Sequence, residues 1–256
     1  MRIGLYLRNM GPAATAPLLR ACATAAEDGG IDDLWVADHV AIPREESEGS
    51  EGRYLDPLAT LAFLAAATRR VGLGTGVLVL PYRPPLLTAK WVASIQELSA
   101  GRMLLGVAPG WMEAEFRALG VPRARRGALA DETLAFLHTC FAAEGDEVEA
   151  HGQRFLFRPR PSRPPIFVGG AGPHALGRVL RFGEGWMPTG RDPEKLRAPI
   201  AELRKRAAEA GRPVPEVVLL SSLPLDEGPA AAIDRACAFQ EFGVTRLVHA
   251  QRYREE

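Results

Sequence analysis

Short apolar segments, each followed by a polar or glycine-rich loop, recur eight times along this chain of 256 residues. Segments with helical periodicity separate them, so strands and helices are predicted to alternate along the chain. The predicted strands cover residues 3–7, 34–37, 71–80, 103–107, 166–168, 185–187, 217–221 and 245–249. Eight strands with no linker between them predict one α/β domain over residues 1–256, a single (β/α)8 barrel. Its eighth helix is predicted to be missing or reduced to residues 251–256.

The seven predicted helices have recognisable starts and stops. They cover residues 17–27, 57–69, 85–98, 128–141, 173–182, 193–210 and 229–242. Asp56 and Pro57 are the residue types preferred at an N-cap and at the first helical position, and Gly29 with Gly30 ends the first helix. Residues 113–126 are predicted to be irregular.

The charge and cysteine content narrow the class of protein. Thirty-one basic and 31 acidic residues give a formal net charge of zero, which predicts no nucleic-acid partner and no membrane surface. The longest apolar run, residues 58–68, is too short to span a bilayer, and the N-terminal apolar stretch is too short for a signal peptide. The three cysteines have no metal-binding spacing. These features predict a cytoplasmic protein without a metal site.

Polar side chains gather where the predicted strands end. Asp38 and His39 are expected at the end of the apolar run 34–37, because a buried strand cannot hold an acid and a histidine without partners. In α/β barrels the C-terminal ends of the strands carry the ligands and the catalytic groups. We therefore expect one active site there. The residues predicted to share that rim are Asp38, Gly76, Gly110 and Gly170.

A glycine cluster precedes the predicted helix at 173–182. Gly170, Ala171 and Gly172 would place backbone N–H groups just before that helix, an arrangement that binds phosphate and other anions. The alternative is a tight turn between strand and helix with no ligand. One glycine would suffice for such a turn, which favours anion binding.

Three glycines lie inside the third predicted strand, at positions 72, 74 and 76. Glycine weakens a strand and usually marks a bulge or the close approach of another group. A flat aromatic ring against Gly76 and Val77 would explain them, and so would tight packing at the barrel rim. The sequence leaves both explanations open.

Six sequence segments occur together in a characteristic order. They are Trp35-Val36-Ala37-Asp38-His39, Gly72-Leu73-Gly74-Thr75-Gly76-Val77-Leu78, Leu98-Ser99-x-Gly101-Arg102, Gly106-Val107-x-x-Gly110-Trp111, Glu115-Phe116 and Val168-Gly169-Gly170. The chain thereby resembles the luciferase-like flavin monooxygenase superfamily and, within it, the deazaflavin (coenzyme F-420)-dependent oxidoreductases. The resemblance extends from residue 1 to about residue 190. It implies a TIM barrel, commonly a homodimer, with an isoalloxazine-type ring lying across the C-terminal ends of the strands.

The resemblance also implies roles for individual residues. His39 is the implied catalytic residue, placed to move a proton, and Asp38 is implied to contact the ring. Gly76 and Val77 correspond to a bulge, often with a cis peptide, that backs the ring. The expected cofactor-binding residues are Asp38, Gly76, Val77, Pro109, Gly110, Trp111, Gly170, Ala171, Gly172, His174 and Ala175.

Trp111 departs from the pattern of one group within this branch. Sugar-phosphate dehydrogenases have a glutamate base at the matching position, so a sugar-phosphate substrate is not expected here. The tryptophan is expected to offer a flat apolar wall to the substrate or the ring, with a buried packing role as the alternative.

The expected function is hydride transfer between reduced coenzyme F-420 and a small organic substrate. One alternative is a monooxygenase that uses reduced flavin mononucleotide (FMN) and oxygen in the same barrel. Another is a non-catalytic flavin-binding barrel. Asp38 and His39 argue against the last, because a protein that only binds flavin needs no proton-transfer group beside the ring.

Overall fold

The computed structural model describes residues 1–47, 49–142, 144–188 and 192–251. Its strands are β1 (Arg2–Tyr6), β2 (Asp33–Val36), β3 (Gly72–Thr75), β4 (Leu78–Val79), β5 (Met103–Ala108), β6 (Glu147–Ala150), β7 (Gln153–Leu156), β8 (Ile166–Gly169), β9 (Gly185–Met187), β10 (Glu216–Ser221) and β11 (Arg246–His249). Its helices are α1 (Ala16–Asp28), α2 (Pro57–Ala67), α3 (Pro85–Leu98), α4 (Glu113–Ala118), α5 (Arg126–Ala142), α6 (Gly172–Phe182), α7 (Pro193–Glu209) and α8 (Pro229–Glu241).

Eight parallel strands close into a barrel. Going round it, β1 pairs with β2, β2 with β3, β3 with β5, β5 with β8, β8 with β9, β9 with β10, β10 with β11, and β11 with β1. The short strand β4 continues the course of β3 and also pairs with β5, while β6 and β7 form a separate antiparallel hairpin. The predicted (β/α)8 barrel is therefore confirmed. Residues 252–256, which include most of the predicted remnant of an eighth helix, lie outside the described residues.

Two stretches differ from the sequence-based expectation. The predicted third strand, 71–80, is interrupted after Thr75, and the peptide bond between Gly76 and Val77 is cis. The predicted irregular stretch 113–126 contains helix α4 and a short 3-10 turn, and Phe116 of α4 is buried against the Tyr82 ring, edge-on at 5.2 Å between centroids. Six helical residues are too few to show a helical period in the sequence.

Trp35 accounts for one of the glycines in the third strand. Its fully buried ring fills the barrel interior and meets Phe167 edge-on, with 5.9 Å between the ring centroids. A Cβ atom at Gly74 would lie 2.4 Å from that ring, and a Cβ atom at Gly72 would lie 2.5 Å from Asp33. Tight packing therefore requires these two glycines. Gly76 is different, because a Cβ atom there would meet only ordinary contacts at 3.7 Å or more.

The segment Leu98-Ser99-x-Gly101-Arg102 has a structural role outside the strand ends. The chain turns at Gly101, where φ is +84°, and brings the Arg102 guanidinium to the end of α2. There Arg102 donates hydrogen bonds to the carbonyl oxygens of Ala65 and Thr68, at 3.0 and 3.1 Å. The guanidinium thus satisfies carbonyl groups that a helix C-terminus leaves without partners. None of the helices in the described ranges is long and apolar enough to cross a membrane.

Candidate active site

A cavity of about 500 Å³ opens at the C-terminal rim of the barrel. Its walls come from the ends of seven of the eight barrel strands. The lining residues are Tyr6, Ala37, Asp38, His39, Gly76, Val77, Val79, Tyr82, Ala108, Pro109, Gly110, Trp111, Gly169, Gly170, Met187, Pro188 and Leu220. The predicted meeting of Asp38, Gly76, Gly110 and Gly170 on one rim is thus what the structure has. This position and size are typical of small-molecule and cofactor sites.

Four of the predicted cofactor-binding residues lie beside this cavity without lining it. Ala171, Gly172 and His174 are exposed at the start of α6, whereas Ala175 is buried beneath Gly170. The other eight predicted site residues all line the cavity. The first turn of α6 therefore forms a separate, exposed edge next to it.

Some backbone groups of the glycine cluster already have hydrogen-bond partners within the protein. Gly170 has a φ of +123°, its N–H donates to the carbonyl oxygen of Met187 at 3.1 Å, and its own carbonyl accepts from Trp186 Nε1 at 2.8 Å. Gly172, at a φ of +73°, opens α6, and Ala171 caps that helix without a side-chain hydrogen bond. The N–H of Gly170 is already hydrogen-bonded to Met187 of β9, so an anion here would be bound by the N-terminus of α6.

Asp38 is an anchoring residue at the end of β2. Its side chain has no exposed surface, and it accepts hydrogen bonds from the backbone N–H of Val79 at 2.8 Å and from both terminal nitrogens of Arg83, at 2.7 and 2.9 Å. Arg83 also donates to Asp56, the N-cap of α2, at 2.7 Å. Burial raises the pKa of Asp38, and the bonds from Arg83 and Val79 oppose that rise. Asp38 thus joins the ends of β2 and β4. Its implied contact with the ring stays a prediction.

His39 faces the cavity beside a buried carboxylate. Its Nδ1 atom lies 3.0 Å from Oε2 of Glu115 on α4, and one fifth of its side chain is exposed. Two aromatic rings flank the imidazole edge-on, that of Tyr54 at 5.0 Å and that of Trp111 at 6.4 Å between centroids. With Nδ1 turned toward Glu115, Nε2 is the ring nitrogen left to face the cavity.

Glu115 is held by four donors, although it is fully buried. Oε2 accepts from His39 and from the hydroxyl of Tyr82 at 2.8 Å, while Oε1 accepts from the backbone N–H groups of Val40 and Ala41. Burial by itself would raise the pKa of this carboxyl group, but the hydrogen bonds outweigh it and lower the pKa to about 2. Glu115 is therefore an anion at neutral pH. The Glu115-Phe116 motif alone gives no sign of this role in the sequence.

Acid should weaken the fold through Glu115. Because folding lowers the pKa from 4.5 to about 2, the stabilisation is complete above about pH 4.5 and is lost as the pH falls through 2. Linkage sets its size at roughly 3 kcal/mol at neutral pH. The free energies of unfolding of the wild type and Glu115→Gln, measured in urea, should therefore differ less at pH 3 than at pH 7. A difference that stays constant over this range would contradict the assignment.

Trp111 stands open at the mouth of the cavity. Its side chain is 63% exposed, and its carbonyl oxygen accepts a hydrogen bond from Arg123 Nε at 3.1 Å. The buried packing role considered for this residue is therefore wrong. The exposed indole is free to offer an apolar face to a bound molecule.

Asn9 fixes the strand end that carries Asp38 and His39. The buried amide donates to the carbonyl oxygens of Ala37 and Leu55, at 2.8 and 2.7 Å, and accepts from the N–H of Ala37 at 3.0 Å. All three contacts lie within hydrogen-bonding distance. Asn9 thus sets the backbone position from which the two site residues project.

The fold and the rim cavity together define a (β/α)8 barrel with a candidate active site at the C-terminal ends of its strands. The chain belongs to the luciferase-like monooxygenase family, whose model matches residues 2–256. Members of this family are mostly oxidoreductases and monooxygenases. An uncharacterised protein of Mycobacterium tuberculosis is 31% identical over 244 residues, which cover 88% of this chain and 82% of the relative.

Solved structures share the fold at low sequence identity. A coenzyme F-420-dependent secondary alcohol dehydrogenase, in complex with an adduct of F-420 and acetone, has a TM-score of 0.78 at 16% identity and covers 97% of this chain and 92% of its own. The oxygenating constituent of 3,6-diketocamphane monooxygenase from Pseudomonas putida, in complex with FMN, has a TM-score of 0.72 at 16% identity. That match covers 87% of this chain and 67% of the monooxygenase. These likenesses concern the fold.

Proposed function

We propose that the protein is an oxidoreductase that transfers hydride between reduced coenzyme F-420 and a small organic substrate. The observation that carries this proposal is the pair of His39 and Glu115 at the wall of a largely apolar cavity on the barrel rim. A histidine whose Nδ1 is bound to a buried carboxylate is suited to take or give a proton at Nε2.

The size and lining of the cavity support a flat tricyclic ring as its ligand. Val77, Met187 and Leu220 give the cavity an apolar floor, and Gly110 and Gly170 line it without side chains. A Cβ atom at Gly110 would lie 2.6 Å from Val79, and its φ of +83° also favours glycine. The volume of the cavity, about 500 Å³, is within the roughly 300–1,000 Å³ usual for cofactor pockets. The α6 terminus beside Gly170 is the edge that would hold the phosphate of the coenzyme.

When bound, the reduced deazaflavin would supply a hydride to an electron-poor carbon of the substrate. The doubly protonated imidazole of His39 would give the resulting anion the proton on Nε2 and become the neutral Nδ1–H form, and Glu115 would hold the ring in place during that transfer. Trp111, which lines the cavity beside His39, would form an apolar wall for the substrate. Asp38, Arg83 and Asn9 would keep the ends of β2 and β4 in register beneath the ring.

A monooxygenase that uses reduced FMN and oxygen is the second candidate. It is favoured by the matching fold of the monooxygenase that was solved with FMN. A barrel that only binds flavin is disfavoured, because burying Glu115 against His39 would then serve no reaction. The relative affinity of the protein for coenzyme F-420 and FMN decides between these two candidates.

Binding experiments distinguish these candidates. Trp111 lines the cavity, so a bound coenzyme should quench its fluorescence. Anaerobic titration of the protein with coenzyme F-420 should give quenching that saturates at lower concentration than the same titration with FMN. A Trp111→Phe variant should lose most of that signal. Tighter binding of FMN, with oxygen-dependent product formation from reduced FMN, would overturn the deazaflavin assignment. Quenching by neither coenzyme would overturn both candidates.

Ala171 allows the anion site to be tested without harming the helix. The residue is an extended N-cap with φ −122° and ψ 165°, so either Asp or Asn there should cap α6 and raise the stability by about 1 kcal/mol. Only Asp adds a negative charge, which would repel a phosphate. Ala171→Asp should therefore bind coenzyme F-420 at least tenfold more weakly, while Ala171→Asn stays within a few-fold of wild type. Fluorescence titration and thermal unfolding measure the two effects. Equal affinity in both variants would reduce the glycine cluster to a turn.

A further inference from the structure

The two oxygen atoms of Glu115 receive donors of different kinds. Oε1 is occupied by the backbone N–H groups of Val40, at 2.5 Å, and Ala41, at 3.0 Å. Oε2 is occupied by side chains, Nδ1 of His39 at 3.0 Å and the hydroxyl of Tyr82 at 2.8 Å. One carboxylate therefore holds both the imidazole of residue 39 and the backbone that follows it.

We propose that Glu115 is a positioning residue that fixes the tautomer of His39, with the proton on Nδ1 and the lone pair of Nε2 directed into the cavity. A carboxylate accepts hydrogen bonds and donates none, so the imidazole atom that faces it must carry a proton. The tautomer follows from the contacts of Glu115 alone. Its value to the reaction rests on the proposed function, in which Nε2 is the atom that exchanges the proton.

The backbone donors at Oε1 determine the orientation that a glutamine amide would take at position 115. In a Glu115→Gln variant the amide oxygen must stay at the Oε1 position, because Val40 and Ala41 present N–H groups there and an amide nitrogen would leave them unpaired. The amide nitrogen then takes the place of Oε2 and presents an N–H to Nδ1 of His39. Nδ1 has to become an acceptor, so the proton moves to Nε2. An isosteric substitution thus inverts the tautomer.

The inverted tautomer should impair proton transfer at the cavity. In the variant, the neutral imidazole already carries a proton on Nε2 and cannot accept one there. The doubly protonated ring is disfavoured, because its Nδ1–H would face the N–H of the glutamine. His39 could no longer shuttle a proton between the two states at Nε2. In other enzymes, replacing the carboxylate that orients a catalytic histidine by its amide costs up to about 10⁴ in turnover through the wrong tautomer. We expect a loss of roughly 10²–10⁴ in kcat for Glu115→Gln, with KM within a few-fold.

Nitrogen NMR of the protein without coenzyme tests the tautomer directly. In protein labelled with ¹⁵N-histidine, at a pH where the ring is neutral, long-range ¹H–¹⁵N spectra distinguish Nδ1–H from Nε2–H imidazoles. The His39 signals are identified by their absence in His39→Ala. Wild type should give the Nδ1–H pattern and Glu115→Gln the Nε2–H pattern. An Nε2–H pattern in the wild type would overturn the proposal, whether or not the variant folds.

Two control variants separate this role from packing. Glu113→Gln makes the same change on the same helix at an exposed residue, whose ion pair is with Arg123 at 4.0 Å, and should leave the His39 signals unchanged. Tyr82→Phe removes the other donor to Oε2 but keeps the carboxylate, and should retain the Nδ1–H pattern. Loss of that pattern in Tyr82→Phe would contradict the carboxylate as its cause.

The tautomer and the proposed function can fail separately. If neither coenzyme binds while the wild type shows the Nδ1–H imidazole, the reaction is wrong and the positioning by Glu115 stands. If coenzyme F-420 binds and turns over while Glu115→Gln retains the wild-type tautomer and kcat, the positioning role is overturned and the reaction stands.

Discussion

Replacing His39 by alanine should lower turnover by roughly 10²–10⁴ while coenzyme affinity stays within a few-fold of wild type. The imidazole is one of the cavity-lining groups, but the apolar floor at Val77, Met187 and Leu220 does not depend on it. Glu115 would still be held by Val40, Ala41 and Tyr82, so the wall beside the cavity should keep its shape. The loss therefore falls on the proton-transfer step and leaves the binding step largely intact.

Steady-state kinetics and tryptophan quenching measure the two quantities on the same preparation. His151→Asn is a suitable control, because His151 is exposed in the turn between β6 and β7 with a φ of +51°, which asparagine tolerates. This variant should match wild type in both measurements. Full activity in His39→Ala would remove the proposed proton donor. A large loss of coenzyme affinity in that variant would instead make His39 a binding residue.

The barrel and the location of its site could be predicted from the sequence because both depend on local signals. Apolar runs, N-cap residues and helix-ending glycines mark the elements, and each is set by its own few residues. The position of Asp38 and His39 at a strand end followed from the cost of burying them in β2. The interruption after Thr75 falls where the family resemblance implies a bulge, at Gly76 and Val77, whereas the glycines alone left a bulge and close packing open.

The partners of those residues could not be predicted, because they depend on the packing of distant segments. Glu115 lies 76 residues beyond His39 on a six-residue helix, and Arg83 lies 45 residues beyond Asp38. The spacing of the sequence gives no sign of either contact. Trp35 is a similar case, because the sequence left open whether a flat ring or tight packing explains the glycines, and the ring against Gly74 is that of Trp35 in the barrel interior. Contacts of this kind are decided once the barrel has closed.

Replacing Asp38 by alanine should destabilise the fold by about 3 kcal/mol and weaken coenzyme binding as well. The variant leaves the N–H of Val79 without its acceptor and leaves the largely buried Arg83 guanidinium with Asp56 as its remaining anion. The larger of these effects is that the guanidinium loses its buried anion and keeps only the half-exposed Asp56. Asp38 also accepts the backbone N–H of Val79, which directly follows Leu78 after Gly76 and Val77. Its loss should therefore displace these two cavity-lining residues and so weaken coenzyme binding.

A second substitution separates the two consequences of losing Asp38. Asp38→Ala combined with Arg83→Met also removes the cation that has lost its buried partner, so urea unfolding should show that part of the lost stability returns, although each single variant is destabilised. If Asp38 contacts the ring, as the family resemblance implies, coenzyme affinity should remain low in the double variant. If Asp38 affects the coenzyme only by neutralising Arg83, affinity should recover along with stability. An Asp38→Ala protein as stable as wild type would contradict the anchoring role, because the hydrogen bonds to Arg83 and Val79 would then contribute nothing to the fold.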